Sequence, residues 1–319
     1  MTESVAAVVV TYNRAAMLPG LLEGLAAQTR PVDAIYVIDN ASTDHTQELL
    51  EAWQGLPLHV IRAPENLGGA GGFHLGLRTA WAGGHDRFLL IDDDVVPAPD
   101  FVAVMVAHPG PCQMAVREDA QGRLVEKAAI RFNLDNPLAI RPKTASVDST
   151  FADRASMPAE VRVENVAFEG FLVRREVVDA VGLPDPAFFI FYDDVDFAIR
   201  AQRAGFEIVC VRDAVLVRQL DFDQQHALDT WKGFYMYRNL FVVHIRYGSN
   251  VAVRLKPWLI TLAVILLSPL RGGRGEVRNV VRALSSARTM KRLTAAAEPG
   301  ALADDIPGSA EQGQTGVPD

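Results

Sequence analysis

Residues Phe88 to Val95 read Phe-Leu-Leu-Ile-Asp-Asp-Asp-Val, an apolar, strand-like run that ends in three consecutive carboxylates. Acids at the end of a buried strand are unfavourable unless a positive charge lies among them. Carboxylate oxygens favour Mg²⁺ or Mn²⁺, and a divalent cation held in this way usually bridges a diphosphate. Asp92, Asp93 and Asp94 therefore indicate an enzyme that acts on a nucleotide-diphosphate compound.

The chain before these acids alternates strand and helix patterns. Residues 5–12 are β-branched and apolar throughout, as expected of a strand buried on both faces. Apolar residues at helical spacing follow from Met17. Further strands are predicted at residues 34–39, 58–62 and 87–92, and further helices from Asp44 and at residues 73–81. This alternation predicts a parallel, right-handed α/β sheet.

Polar residues follow each of the four predicted strands. Ligands of such sheets bind beyond the carboxyl ends of the strands. Because four strand ends carry the same signal, we expect their polar side chains to converge on one ligand. These residues are Thr11 and Asn13, Asp39 and Asn40, Asn66, and Asp92 to Asp94.

A glycine-rich stretch, residues 65–73, follows the third predicted strand. It lacks the Lys-Ser/Thr ending of a phosphate-binding P-loop, and its position after the third strand does not fit a dinucleotide-binding motif. Its glycines would let the backbone approach a ligand, with Asn66 as the contacting side chain and the following helix N-terminus facing a phosphate. The alternative interpretation is a tight turn between strand and helix.

A second acidic cluster, Asp193, Asp194 and Asp196, lies well downstream and runs into a helix-like stretch. A carboxylate separate from a metal site is what general-base catalysis requires. Asp196 is interpreted differently, as a carboxylate near a helix start that favours the helix dipole.

The bulk composition fits a soluble enzyme. The 319 residues are 49% hydrophobic and 22% charged, which is ordinary for a globular protein with a full core. Cys112 and Cys210 are too few for a disulfide framework, which indicates a reducing compartment. The N-terminus lacks the pattern of a secretory signal. A net charge of −8 argues against nucleic acid as a partner.

The C-terminal part is basic, in contrast to the acidic remainder. Residues 246–292 contain ten Lys or Arg residues and one acid, Glu276. Within them, the apolar residues 257–270 fall short of the about 20 that a membrane-spanning helix needs. An apolar helix that begins near Trp258 and is followed by arginines predicts an interfacial anchor on an anionic membrane surface. The alternative is a buried core helix.

Five motifs, in this order, resemble those of an inverting family 2 glycosyltransferase. The resemblance covers residues 4–220, and it is greatest to galactofuranosyltransferases of actinobacterial cell-wall synthesis, although rhamnosyltransferases share much of the pattern. The motifs are Thr11-Tyr12-Asn13-Arg14, Asp39 to Asp44, Asn66 to Gly72, Asp92 to Asp94, and Asp193-Asp194.

The resemblance implies an α/β protein of the GT-A fold, with a Rossmann-like nucleotide half and an acceptor half around one mixed sheet. A catalytic domain is then expected at residues 1–222 and a C-terminal helical, membrane-interface region at 223–294. Residues 295–319 contain almost no large apolar side chains and are expected to be disordered.

Roles for individual residues also follow from the resemblance. Asp94 is expected to ligate Mn²⁺ or Mg²⁺ directly, with Asp92 close to the metal or the ribose, and Asp194 is expected to be the general base. The residues expected to bind the nucleotide-sugar are Thr11, Asn13, Arg14, Asp39, Asn66, Asp92, Asp93 and Arg218. The residues expected to bind the acceptor are Asp193 and Glu169. Independently of the resemblance, Trp231 in an aromatic-rich, helix-like segment is expected to stack on an acceptor sugar, and the alternative is a packing seam between the two lobes.

One position departs from the family pattern. Family members usually carry a histidine metal ligand at a position that falls on Arg218 of this chain or, as the alternative, on Gln219. A guanidinium has no lone pair to offer a cation, but it pairs bidentately with diphosphate oxygens. We therefore expect Arg218 to stabilise the leaving group. The alternative has Arg218 pointing outward and His226 supplying a ligand.

Together these expectations describe a transferase that moves galactofuranose from UDP-galactofuranose, with inversion, onto a polyprenyl-diphosphate-linked cell-wall glycan. It is expected to be peripheral, on the cytoplasmic side of the plasma membrane, and a homo-oligomer is possible. The alternatives are a dTDP-rhamnose-dependent rhamnosyltransferase and, from another class, an inactive nucleotide-sugar-binding module. A nucleotidyltransferase is disfavoured because its basic, glycine-rich loop is missing near the first strand.

Overall fold

The structure, a computed structural model, describes residues 3–139, 141–220, 228–271 and 274–290. The strands are β1 (Val5–Thr11), β2 (Ala34–Asp39), β3 (Leu58–Arg62), β4 (Arg87–Asp92), β5 (Val95–Pro97), β6 (Cys112–Glu118), β7 (Ala129–Phe132), β8 (Lys143–Ser146), β9 (Glu160–Arg162), β10 (Phe171–Arg174) and β11 (Ile208–Arg218). The helices are α1 (Leu18–Ala26), α2 (Thr46–Ala52), α3 (Gly68–Ala82), α4 (Phe101–Ala107), α5 (Val147–Thr150), α6 (Arg175–Val181), α7 (Asp193–Arg203), α8 (Trp231–Tyr247), α9 (Val251–Arg254), α10 (Lys256–Arg271) and α11 (Arg274–Thr289).

The central sheet is mixed, as expected. Its order is β3-β2-β1-β4-β10-β6-β11-β5, with β9 beside β11. The four predicted strands are present, and β1 to β4 pair in parallel. Strand β10 runs antiparallel to both β4 and β6, and it joins the nucleotide half to the rest of the sheet. The strands β7 and β8 form a separate hairpin.

Strand β1 lies in the middle of the nucleotide half and is buried on both faces. Its alternate residues enter two different apolar clusters: Ala6, Val8 and Val10 enter one, while Ala7 and Val9 enter the other. A parallel strand covered by helices on both sides needs this continuous apolar run, which is the pattern seen in the sequence. The sheet is therefore rigid where its strand ends carry the polar residues.

Helix α3 lies closer to the sheet than a helix with ordinary side chains could. A Cβ atom on Gly72 would lie 2.4 Å from Cγ1 of Val10, and one on Gly76 would lie 2.4 Å from Cγ1 of Val8. Part of the glycine-rich stretch thus serves helix-to-sheet packing. The helix predicted at residues 73–81 begins earlier, at Gly68, because these glycines lie inside the helix and not in a turn before it.

The C-terminal helices pack onto the preceding part of the chain. Tyr237 and Phe241 of α8 share an apolar cluster with Phe188 and Val195, and α11 adds Val280. The predicted boundary at residues 222 and 223 lies outside the described residues, as does the predicted tail. That division into domains stays a prediction.

Candidate active site

The carboxyl ends of the parallel strands meet at one edge of the sheet. Thr11 at the end of β1 is paired in register with Asp39 at the end of β2, and Val10 is paired with Asp92 at the end of β4. The side chains of Thr11 and Asp39 are buried. The predicted convergence of these strand ends is therefore present in the fold.

Asp39 holds the loop after β2 in place. Its Oδ2 accepts a hydrogen bond from Nη1 of Arg62 at 2.9 Å, and its Oδ1 accepts one from the Ser42 N–H at 2.8 Å. These bonds fix the carboxylate at the end of β2. Its expected contact with the nucleotide stays a prediction.

Asn13 connects the loops after β1 and β2. It has a left-handed backbone (φ 55°), a conformation that asparagine tolerates better than most residues. Its Oδ1 accepts hydrogen bonds from the backbone N–H groups of Thr43, at 2.7 Å, and Asp44, at 3.3 Å. Its own N–H donates to the Ser42 hydroxyl at 2.9 Å. Asn13 therefore holds these two loops together, and its expected contact with the nucleotide-sugar stays a prediction.

The N-terminus of α3, in the glycine-rich stretch, packs against the loop before α7. Asn66 Oδ1 accepts a hydrogen bond from the Gly68 N–H at 2.8 Å, which starts α3. The Ala70 N–H donates to the Phe189 carbonyl at 3.0 Å. A Cβ on Gly68, whose φ is +70°, would lie 2.1 Å from that carbonyl oxygen. This close contact accounts for Gly68, whereas ligand contact by Asn66 stays a prediction.

The three consecutive acids are crowded and poorly solvated. Burial raises the pKa of Asp93 to about 7, although the Thr11 hydroxyl and Arg14 oppose the rise. Burial, followed by the charges of Asp94 and Asp93, raises the pKa of Asp92 well above its ordinary value. Burial also raises the pKa of Asp94. Three carboxylates in this state favour a cation among them.

Arg14 and Arg218 supply positive charge from two sides of this cluster. Nε of Arg14 lies 3.7 Å from Oδ1 of Asp93, and Nη2 of Arg218 lies 4.0 Å from Oδ2 of Asp94. Arg218 is 5% exposed, so it points into the cluster and not outward. His226, the alternative metal ligand, lies outside the described residues.

Arg218 is the end of a chain of buried ion pairs. Its Nε lies 3.3 Å from Oε2 of Glu169, and the same oxygen accepts a hydrogen bond from Arg117. Arg117 in turn donates two bonds, of 2.8 and 2.9 Å, to Glu126, which is fully buried. Burial works to raise the pKa of Glu169, but Arg117 and Arg218 outweigh it and the pKa is lowered. Glu169, expected at the acceptor, is thus ionised and holds Arg218 toward Asp94.

Arg117 and Glu126 were missed by sequence reasoning. Both lie in the poorly patterned stretch 116–165, where proline residues separate short mixed runs. The one available signal was a charge at residue 117, at the end of an otherwise apolar strand. Such a charge is seldom fully buried without a partner, and the nearest acids in sequence were equally plausible partners.

The second acidic cluster begins α7, as expected. Asp193 is buried, and Asp194 accepts a hydrogen bond from the Val195 N–H at 2.7 Å. Burial raises the pKa of Asp194 to about 6, and Glu169 adds to the rise while Lys143 opposes it. A carboxylate with this pKa is ionised near neutral pH and basic enough to accept a proton. Glu169 also raises the pKa of Asp94, so the same carboxylate acts on both acidic clusters.

Asp196 has a structural role. It accepts hydrogen bonds from Arg200 Nε at 2.8 Å and from the Tyr247 hydroxyl at 2.6 Å, and Nη1 of Arg246 lies 3.5 Å away. These contacts tie α7 to α8. The interpretation of Asp196 as a helix-start carboxylate is thereby extended, because the bonds also anchor the helix that carries Asp194.

Trp231 begins α8 and is 57% exposed. Its ring lies 6.0 Å from that of Tyr235 and 6.4 Å from that of Phe189, centroid to centroid. The rings of Phe189 and Tyr235 stack at 4.9 Å. An open aromatic surface therefore adjoins the loop before Asp193. Flat aromatic surfaces of this kind suit stacking against a sugar ring. Acceptor binding by Trp231 stays a prediction.

A divalent cation fits the strand-end acids. Oδ1 of Asp94 is buried and has no hydrogen-bond partner in the described part of the chain. A hard cation would satisfy that oxygen and offset the repulsion among Asp92, Asp93 and Asp94. Within the same residues, no group of three or more His, Cys, Asp or Glu side chains is placed to hold a metal ion.

The comparison with known proteins agrees with this geometry. The glycosyl transferase family 2 pattern matches residues 6–109. Galactofuranosyltransferase GlfT1 of Mycolicibacterium smegmatis is 31% identical over 252 residues, which are 75% of this chain and 82% of that protein. GlfT1 of Mycobacterium tuberculosis is 33% identical over 253 residues, with 75% and 81% covered. The chain belongs to glycosyltransferase family 2.

This family 2 glycosyltransferase has the GT-A fold. It superposes on the mannosyltransferase PcManGT of Pyrobaculum calidifontis, solved in complex with GDP-Man and Mn²⁺, with a TM-score of 0.53. The match covers 95% of this chain and 80% of that one at 21% identity. At this identity the likeness concerns the fold, and it confirms the mixed sheet with a Rossmann-like half.

Proposed function

We propose that this glycosyltransferase moves galactofuranose from UDP-galactofuranose, with inversion, onto a polyprenyl-diphosphate-linked cell-wall glycan. The observation that carries the proposal is the pair of acidic clusters, one at the strand ends and one at the start of α7. The GlfT1 relatives, 31% and 33% identical, support galactofuranose as the sugar.

The donor would lie across the strand ends, with its base and ribose near Thr11 and Asp39 and its diphosphate near Asp94. Asp92 and Asp94 would hold Mn²⁺ or Mg²⁺ there. When bound, the cation neutralises charge on the diphosphate. Arg218 donates hydrogen bonds to the departing diphosphate oxygens, while Glu169 keeps its guanidinium in place.

Asp194 serves as the base on the acceptor side. Its carboxylate takes the proton of an acceptor hydroxyl, whose oxygen forms a bond to the anomeric carbon as the bond to the diphosphate oxygen breaks. The electron pair of that bond leaves with UDP. Attack from the face opposite the leaving group inverts the anomeric configuration. Asp193 and Trp231 would orient the acceptor sugar.

A calorimetric titration of UDP- and dTDP-sugars tests the donor. Mn²⁺ is present, and the Asp194→Asn variant is used so that no donor is consumed. We expect UDP-galactofuranose to bind tighter than UDP-galactopyranose, UDP-glucose and dTDP-rhamnose. Preference for dTDP-rhamnose would establish the rhamnosyltransferase alternative. Tight donor binding with no transfer by the wild-type protein to any acceptor would establish the binding module.

We also propose that α10 rests on the membrane that holds the acceptor lipid. Its exposed apolar side chains recur at helical spacing on one side of the helix, which does not fit a buried core helix. Four exposed arginines, Arg254, Arg278, Arg282 and Arg288, lie on the neighbouring helices and suit anionic headgroups. None of the described helices is long and apolar enough to cross a membrane. The exposed side chains of α10 are Trp258, Leu259, Leu262, Ile265, Leu266 and Leu267.

Replacing Leu259, Leu262 and Leu266 together with serine should release the protein from anionic vesicles. Each leucine contributes about 1.5–3 kcal/mol when fully buried in an apolar phase, so binding should weaken more than tenfold. Vesicle co-sedimentation measures this. Val60→Ser is the matched control, because Val60 is 44% exposed on the edge strand β3. Unchanged co-sedimentation of the triple variant would contradict α10 as the contact.

A further inference from the structure

The loop that leads into α7, Phe188–Tyr192, has a backbone that its side chains disfavour. Phe189 has φ 63° and ψ −60°. It is the central residue of a γ-turn, in which the Ile190 N–H donates a 2.7 Å hydrogen bond to the Phe188 carbonyl. This form of γ-turn is rare and strained. Phe191 and Tyr192 each have φ 67°. A loop with three left-handed, non-glycine residues persists only when its surroundings hold it.

Asn239 of α8 is the side chain that holds this loop. It is fully buried, and its Nδ2 lies 3.0 Å from the carbonyl oxygen of Phe188, 2.7 Å from that of Ile190 and 2.8 Å from that of Phe191. Its Oδ1 accepts a hydrogen bond of 2.8 Å from Nε of Arg238, so its donors face the loop. Arg238 Nη2 also donates to the Phe188 carbonyl at 2.7 Å.

The loop is held from the opposite side by α3. The Phe189 carbonyl accepts the Ala70 N–H, and a Cβ on Gly68 would collide with it. The N-terminus of α3 and helix α8, which carries Trp231, therefore both contact this loop. Because α7 begins at Asp193, directly after the loop, the loop conformation decides where Asp193 and Asp194 point.

We propose that Asn239 is a positioning residue, which sets the direction of Asp193 and Asp194 through the hydrogen-bonded loop Phe188–Tyr192. The inference rests on the proposed function, in which Asp194 is the base. Asn239 does not touch the substrate in this account. Its effect is on the distance and angle between the Asp194 carboxylate and the acceptor hydroxyl, to which catalytic rates are steeply sensitive.

Asn239→Ala and Asn239→Asp should both lower kcat, by about 10²-fold if Asp194 moves by about 1 Å. The aspartate variant keeps the volume of the side chain but has no N–H to donate. Calorimetric affinity for UDP should stay within about threefold, since Asn239 contacts neither Asp39 nor Asp94. Amide hydrogen exchange in residues 188–193 should accelerate, because the loop opens more often once its carbonyls lose the Asn239 donor.

The pH profile separates positioning from plain stability. In the folded protein the titratable groups that interact electrostatically with Asp194 are Asp193 on its own helix, Tyr192 directly before it, Lys143 from β8, Glu169 before β10 and Arg117 from β6. A loosened loop admits water to Asp194, so the acidic limb of kcat should move to lower pH in Asn239→Ala. The control is Asn279→Ala. Asn279 is also buried and donates to two carbonyls, those of Leu228 at 3.0 Å and Thr230 at 2.7 Å, neither of which belongs to the loop Phe188–Tyr192. Its variant should lose thermal stability and keep the wild-type limb.

The inference would be overturned if Asn239→Ala kept the wild-type kcat and the wild-type acidic limb of the pH profile while its melting temperature fell as in Asn279→Ala. Asn239 would then have only a stability role. If Asn239→Ala does not fold, Arg238→Lys is tested instead. Arg238 is partly exposed, and its replacement loosens the orientation of the Asn239 amide. Wild-type amide hydrogen exchange and wild-type kcat in Arg238→Lys would also overturn the inference. Failure of the proposed function would give a different result from failure of the Asn239 inference. The wild-type protein would then transfer no sugar, or Asp194→Asn would be fully active. Amide hydrogen exchange in the loop would still report on Asn239.

Discussion

Asp194→Asn should lower turnover by roughly 10²-fold or more, the usual contribution of a positioned base, and leave donor affinity nearly unchanged. The amide keeps the shape of the carboxylate but accepts no proton near neutral pH. Initial rates of transfer and calorimetric UDP affinity measure the two effects separately. Loss of UDP binding together with residual transfer in this variant would place the base elsewhere.

Asp196→Asn is the matched control on the same helix. Asp196 is paired with Arg200, Tyr247 and Arg246 and does not take part in the proposed proton transfer. Its variant should lose stability, because a buried ion pair is weakened, and keep kcat within a few-fold of the wild type. A loss of kcat equal to that of Asp194→Asn would mean that the helix position, and not a base, is what both variants disturb.

The wild-type rate should rise with pH through about 6 and then level off. Burial raises the pKa of Asp194 to about 6, so the folded enzyme holds the base protonated below that pH and ionised above it. Measuring kcat at saturating donor and Mn²⁺ isolates this limb from the titration of Asp93. A rate that is independent of pH on both sides of 6 would contradict Asp194 as the group that must be ionised.

Arg218→Ala should lower kcat by about 10² to 10³, the range for loss of a donor that stabilises charge in the transition state. The variant also leaves Glu169 and Asp94 without the guanidinium between them. Arg218→Lys should recover part of the rate, since an ammonium restores the charge but not the bidentate geometry. Glu169→Gln should lower kcat in the same direction as Arg218→Ala, because it releases the guanidinium that Glu169 holds.

The account of Arg218 also concerns metal affinity. If Arg218 stands where a ligand would be, Mn²⁺ should bind weakly without nucleotide, and His226→Ala should change transfer little. Calorimetric titration of Mn²⁺, with and without UDP, measures this. Tight Mn²⁺ binding to the nucleotide-free protein that vanishes in His226→Ala would defeat the account.

The nucleotide end of the site could be predicted from the sequence because its signals are local. Each polar residue directly follows an apolar strand, and parallel strands bring their carboxyl ends to the same edge of the sheet. The sequence alone therefore predicts that Thr11, Asp39 and Asp92 lie at these strand ends. The acids that begin α7 were located for a similar reason, since they stand just before a helical pattern.

The connections between the two acidic clusters could not be predicted, because they depend on long-range packing. The pairing of Arg117 with Glu169 joins residues that no periodic pattern relates. The contact between Gly68 and Phe189 is equally non-local. It accounts for Gly68 by packing, whereas the sequence had suggested a contact with a ligand. The buried amide of Asn239 had no signal at all, because an asparagine within a helical pattern is ordinarily a surface residue.

The most direct test of the central claim is the product of a single reaction. Wild-type protein is incubated with UDP-galactofuranose, Mn²⁺ and a polyprenyl-diphosphate-linked glycan, and the new linkage is determined by NMR. The account predicts one added galactofuranose whose anomeric configuration is opposite to that of the donor, and no product with Asp194→Asn. Retention of the donor's configuration, or transfer of a different sugar in preference to galactofuranose, would contradict it.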